Sequence, residues 1–234
     1  EFAMLPQMQQ AAVMNPQAQQ QFNQITQKIE SQNLQPLQYG TSSAKSITLS
    51  FWAKSNKTGT YTVALYKAGN TGYIIPNEYT ISSANTWEKK TITITPTAGS
   101  TSFITASAAA FLNDNTLGFQ LAFNLAFGSN GNGTNATWSS NTAHYTTSNQ
   151  VNWLDSTSNT FYLSQVQLEI GEVATPFEHE DFSTTLRKCQ RYYAKSWSQG
   201  SAVTTTPGVI GATCCGNVNR AFGNVFWPVT MRTA

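Results

Sequence analysis

Leu117, Phe119, Leu121, Phe123, Leu125 and Phe127 alternate with Gly118, Gln120, Ala122, Asn124 and Ala126, the clearest period-two stretch of the chain. Successive side chains of a strand point to opposite faces, so this pattern predicts a strand with six large apolar groups on one side. At about 1.5–3 kcal/mol per large side chain buried, that face contributes on the order of 10 kcal/mol before chain entropy is set against it. Ile47, Leu49, Phe51 and Ala53 alternate in the same way with Thr48, Ser50, Trp52 and Lys54. The turn Asn56-Lys57-Thr58-Gly59 then leads to Tyr61, Val63 and Leu65, and the two segments read as a β-hairpin. Tyr79 with Ile81, and Ile92 with Ile94, mark two further strands. Val166, Leu168 and Ile170 alternate with Gln165, Gln167 and Glu169 as a half-buried strand, and Gly171 lets the chain leave the sheet.

The period then changes. Phe182, Leu186, Cys189 and Tyr193 recur at helical spacing, with Glu178, Glu180 and Asp181 in front and Arg187, Lys188 and Arg191 behind, so the charges complement the dipole of a short amphipathic helix. Strands punctuated by Gly, Asn and Ser turns, with one late helix, predict an all-β, two-sheet sandwich. The exception is a long loop from Gly128 to Asn152. The first twenty residues are rich in Gln, Ala and Met, with Pro6 and Pro16 bracketing room for one short helix. After Ser196 alternation is lost, and Val225–Met231, with Pro228 inside it, reads as an edge strand.

Composition narrows the function classes. A chain of 234 residues is long enough for a sizeable core, yet only 10% of it is charged, and Thr, Ser, Asn and Gln supply the polar surface. A formal net charge of +2 without a Lys/Arg stripe argues against a nucleic-acid partner. No uninterrupted apolar run is long enough to span a membrane. Three cysteines make no disulfide framework; Cys214 and Cys215 are neighbours, and Cys189, on the apolar helix face, is expected as a buried thiol. Neither a CxxC nor a Cys/His cluster suggests zinc, and no cofactor is expected.

The segment QLEIGEVATPFE, Gln167–Glu178, followed by CQRYY, Cys189–Tyr193, resembles a family of bacteriophage tail-fibre-like virion structural proteins. The resemblance continues upstream through ITQKIE (Ile25–Glu30), SITLSFW (Ser46–Trp52) and NTWEKK (Asn85–Lys90). It implies a jelly-roll-like antiparallel β-sandwich over residues 22–181, behind an N-terminal extension or linker (1–21). A helix over 182–196 and an incomplete C-terminal β region over 197–234 follow. It also resolves Phe22–Glu30, whose Phe22, Ile25 and Ile29 have helical spacing, in favour of a strand in which Ile25, Gln27 and Ile29 share a face. The implied role is noncatalytic, in a tail fibre or surface appendage of a virion assembled in the bacterial cytoplasm. The implied partners are other virion proteins and, as host receptor, a cell-surface glycan. A capsid decoration or head-fibre protein is the alternative, and a polysaccharide-degrading enzyme is the alternative of another class. A low-charge surface rich in Gln, Thr and Ser, on a fibre-like chain, leads to the expectation of a homotrimer.

Candidate chemistry is sparse. Glu169, Glu172, Glu178, Glu180 and Asp181 are the densest carboxylates, but a strand end, a turn and a helix start explain them by capping and solvation. His179 reads as a surface histidine. Ser164 and Gln165 stand where related jelly rolls carry calcium-binding aspartates, and Asp114 between Asn113 and Asn115 reads as a polar turn, so no metal is expected. The ligand candidate is the loop Gly128–Trp153. Trp138, His144, Tyr145 and Trp153 stand there among short amides and hydroxyls, the mixture that binds sugars through stacked rings and surrounding hydrogen bonds. In the competing reading Trp138 and Trp153 pin the loop to the sandwich. Trp52 and Trp87, on regular strands, are expected in the core or at an interface.

Overall fold

The structure is a computed structural model, and it describes residues 22–193, 212–213, 222–223 and 229–230. The expectations for residues 1–21, for Cys214 and Cys215, and for most of the strand Val225–Met231 lie outside these. Contacts divide the chain into two compact units between Phe177 and Glu178.

The first unit is a sandwich of two antiparallel sheets. Strands β1 (Phe22–Glu30), β2 (Ile47–Ser55), β3 (Gly59–Lys67), β4 (Tyr73–Ile81), β5 (Glu88–Ile94), β6 (Leu117–Phe127) and β7 (Phe161–Ile170) form a four-stranded sheet in the order β1-β6-β3-β4 and a three-stranded sheet in the order β5-β2-β7. Only the β3–β4 connection stays within one sheet; every other connection crosses the sandwich. The inward faces are those given by the alternation: Leu49 and Phe51 from β2, Val63 and Leu65 from β3, and Phe119, Leu121, Phe123 and Leu125 from β6 are all buried. Phe51 meets Tyr79 and Phe123 of the opposite sheet edge-on at 5.0 Å, which locks the two layers together. β1 is a strand, and its register sets Ile25, Gln27 and Ile29 beside Phe123, Leu121 and Phe119.

Two local readings change. β2 and β3 are not a hairpin: β2 pairs with β5 and β7, and β3 with β4 and β6. The turn between them is a corner that carries the chain from one sheet to the other, so the two apolar faces look at each other across the core. Gly59 makes the corner at φ 125°, where a Cβ would lie 2.5 Å from Val151. In β7 the alternation breaks at Gln165, whose φ is 48°, where the register with β2 slips between Ser50 and Trp52. The bulge turns Val166 outward (38% exposed), while Leu163 and Leu168 on either side pack against the core.

Lys67 occupies an inward position of β3 and is fully buried. Its Nζ donates to the Thr71 carbonyl at 3.1 Å and lies 5.4 Å from the Phe111 ring, and burial pulls its pKa down from 10.5 to about 8.

In the second unit, helix α1 (Phe182–Gln190) is capped by Asp181, whose carboxylate accepts from the Thr184 N–H at 3.0 Å and the Thr184 hydroxyl at 2.8 Å. Those bonds, with one from Ser183, hold the Asp181 carboxyl below the usual carboxylate range. Glu180 pairs with Lys188. Cys189 is exposed, not buried as expected; none of the residues of α1 is buried. A two-residue ladder, β8 (Ala212–Thr213) with β9 (Phe222–Gly223), is the further β structure described in this unit.

Candidate functional site

The long loop does not hang from the sandwich. It is threaded along one edge and then laid over the outer face of the four-stranded sheet. From Ala136 to Ser139 it runs beside β4: the Ala136 N–H donates to the Pro76 carbonyl at 2.8 Å, and Ile74 and Ser139 exchange bonds of 3.0 and 2.8 Å. Trp138 is directed inward here and is 1% exposed. Its indole N–H donates to the Thr95 carbonyl at 2.9 Å, and its ring meets Tyr39 edge-on at 6.5 Å.

Beyond the turn at Asn141 the loop crosses the sheet, and a buried polar network holds it. Asn124, on the outward face of β6 and fully buried, is the hub. Its amide donates to the Tyr145 carbonyl at 2.5 Å and to the Thr62 hydroxyl at 3.3 Å, and its side-chain oxygen accepts from the Gln24 amide at 2.7 Å. Thr62 donates to Gln150 at 2.6 Å, and the Gln150 amide returns to the Asn124 carbonyl at 3.1 Å. At the β4 end, Glu78 accepts from the Thr147 hydroxyl at 2.5 Å and from Asn149 at 3.1 Å. Asn124, Thr62, Gln150 and Thr147 thereby find partners, which offsets the cost of burying them under the loop, while the Trp153 indole N–H at the end of the loop is buried without one.

Where the loop ends, the sheet is left open. A cleft of about 440 Å³ is lined by Gln24, Thr26 and Lys28 of β1, Gln120 and Phe127 of β6, and Tyr145 of the loop. Phe127 and Tyr145 stack at 5.7 Å with their planes 12° apart and form its apolar wall. Gly131 packs against the back of this pair, where a Cβ would sit 2.2 Å from the Phe127 ring, so no larger residue fits without moving it. Burial, and then the neighbouring Tyr66, raise the Tyr145 pKa. The lining thus offers two amides, two hydroxyls and one ammonium around an aromatic wall. It contains no carboxylate, imidazole or thiol.

Of the four loop residues singled out in the sequence, only Tyr145 lines the cleft. Trp138 is in the core, with its ring faces covered, so the stacking role expected of it has no surface to act through; it fastens the loop to the sandwich. Trp153 is 9% exposed and belongs to the same core. His144 lies behind the cleft wall in the turn, bonded to Ser139 at 3.1 Å and Asn141 at 2.9 Å, with its Cβ against Gly133. The residues not anticipated are Gln24, Thr26, Lys28, Gln120 and Phe127. The first three are the outward positions of β1, which the same alternation that turns the half-buried Ile25 and Ile29 to the core assigns to that face.

The carboxylates have structural partners. Glu169 accepts from the Thr175 N–H at 3.1 Å and from its hydroxyl, Glu172 accepts from the Ser46 hydroxyl at 3.2 Å, and Asp114 accepts from the Thr116 N–H at 3.0 Å. Among the described residues no group of three or more His, Cys, Asp or Glu is placed to hold a metal ion, and no helix is long and apolar enough to cross a membrane. Trp52 and Trp87 are not in the core: both belong to the outer side of the three-stranded sheet, with Trp52 half-buried and Trp87 41% exposed.

No family model, curated protein or solved structure matches this chain.

Proposed function

We propose that the chain is a noncatalytic structural domain of a phage virion, in a tail fibre or other surface appendage, and that the cleft beside the long loop takes a host-cell glycan. The observation that carries the binding part of this reading is the cleft lining. A stacked Phe127–Tyr145 wall beside the Gln24 and Gln120 amides, the Thr26 hydroxyl and the Lys28 ammonium combines an apolar surface for a sugar CH face with donors and acceptors for its hydroxyls. The lining holds no pair of carboxylates of the kind glycoside cleavage uses, which favours binding over cleavage. The virion part rests on the ordered motifs ITQKIE, SITLSFW, NTWEKK, QLEIGEVATPFE and CQRYY, and the low-charge surface suits a homotrimeric appendage.

The test is adsorption of the purified protein to host cells and to their extracted surface polysaccharide. Tyr145→Ala, and separately Lys28→Ala with Gln120→Ala, are each expected to weaken adsorption about tenfold, roughly 1.4 kcal/mol, with the unfolding temperature of the Lys28/Gln120 pair unchanged. Adsorption that survives both sets of changes at full strength refutes the cleft as the glycan site. Release of oligosaccharide from the polysaccharide refutes the noncatalytic reading.

A further inference from the structure

The outer face of the three-stranded sheet carries an arrangement that neither the core nor the loop cleft uses. Pairing puts Lys54 of β2 beside Tyr162 of β7, with Trp87, just ahead of β5, on its other side. The Lys54 Nζ lies 5.2 Å from the centre of the Trp87 ring and 4.6 Å from that of Tyr162, and the two rings are 6.4 Å apart at 60°. The next outward row consists of Lys89, Trp52 and Ser164, again in register. Trp87 is 41% and Tyr162 48% exposed, so the platform is open to solvent.

Its charge is unbalanced. Neither Lys54 nor Lys89 enters an ion pair among the described residues. Glu169, farther along the same face, is within the field of Lys89, but its oxygens are taken by Thr175. The platform therefore presents aromatic rings at both ends of one row, an ammonium held between them and a second ammonium one row away.

We infer that this face is a second saccharide-binding surface, independent of the loop cleft, and that it is selective for acidic polysaccharide whose sugars carry carboxylates. Exposed indole and phenol faces accept the CH face of a pyranose, and a carboxylate on that ring meets Lys54 or Lys89. A neutral sugar laid over the row would cover the Lys54 ammonium without replacing its water, a cost that a carboxylate removes. A second copy of this chain docked by the same face would bring Lys54 and Lys89 of each copy towards like charges. Single-stranded nucleic acid also stacks on aromatics, but its backbone needs a track of cations, and this face offers two.

The experiment titrates the full chain with oligogalacturonate, with the same oligomer methyl-esterified and with a single-stranded oligonucleotide, following tryptophan fluorescence and calorimetry. Oligogalacturonate is expected to bind at least tenfold more tightly than its ester, to weaken with salt, and to lose at least tenfold in affinity in Lys54→Gln and in Trp87→Ala. Lys28→Ala, in the loop cleft, is expected to leave this binding unchanged, which separates failure of this surface from failure of the cleft. Equal binding of acid and ester, tighter binding of the oligonucleotide, or full-strength binding by Lys54→Gln overturns the inference. So does loss of binding in Lys28→Ala alone.

Discussion

Replacing Trp138 with alanine distinguishes an anchor from a binding platform in a single protein. The side chain is 1% exposed, contacts Tyr39 edge-on, and satisfies the half-buried Thr95 carbonyl through its indole N–H. Truncating a buried tryptophan costs about 3–5 kcal/mol through lost transfer energy and the cavity left behind. For a domain of this size each kcal/mol lowers the midpoint by about 2–4 °C, so Trp138→Ala is expected to unfold roughly 6–20 °C below the wild type. Trp138→Phe keeps most of the volume and loses the hydrogen bond, and is expected to cost about 1–2 kcal/mol. Thermal unfolding followed by circular dichroism measures both, and glycan adsorption well below the lower midpoint is expected to stay within twofold of wild type. A midpoint within about 2 °C of wild type in Trp138→Ala would refute the anchoring argument. A tenfold loss of adsorption at unchanged midpoint would restore Trp138 as a ligand contact.

Asn124→Ala removes the hub of the polar network and is expected to cost about 2–3 kcal/mol. Amide exchange over 143–150 should accelerate more than that of the β6 backbone, and uniform loosening would argue against a local hub. Lys67 has a folded-state pKa near 8 against 10.5 unfolded, so between those values the unfolded chain binds more protons and stability rises with pH. Urea titrations should show a gain of about 2 kcal/mol from pH 7.5 to 10, absent in Lys67→Met; above pH 10 the buried, upward-shifted Tyr39 and Tyr79 reverse the trend. A parallel pH profile in the Met variant would contradict this. Analytical ultracentrifugation at micromolar concentration is expected to give a trimer, and a monomer throughout would count against that assembly.

The alternation of β6 was legible at Phe119, Leu121, Phe123 and Leu125, which are all buried, but not at its end: Phe127, expected on the same face, lines the outer cleft beside Gln120, where the register with β1 shifts at Asn23. The β2–β3 turn was misread for a physical reason: polar turn residues between two alternating segments suit a hairpin and a sheet-to-sheet corner equally, and only pairing with the distant β5, β6 and β7 separates them. At Val166 one left-handed residue, Gln165, reverses the parity of everything upstream of it. Tyr145, Trp138 and Trp153 carry the same signal, an aromatic among amides, and burial then sorts them. The outward side of β1 was readable, but the meeting of Gln24 with Asn124 and Tyr145 is a product of strand pairing across a hundred positions.

The crossing of almost every connection from one sheet to the other also governs how the chain reaches its fold. Ile47 pairs with Ile94 of β5 on one side, but its partner on the other side, Ile170, is made much later, and β1 must wait for β6. At ribosomal speed the interval between β2 and β7 is on the order of ten seconds, during which one side of β2 has no strand to bond. Contacts so far apart in sequence also slow the search itself, placing refolding towards the millisecond-to-second end of the range for small domains. A ribosome stalled before β7 therefore carries an unfinished sheet with an aggregation-prone edge, and β7, the last of the seven sandwich strands to emerge, completes it.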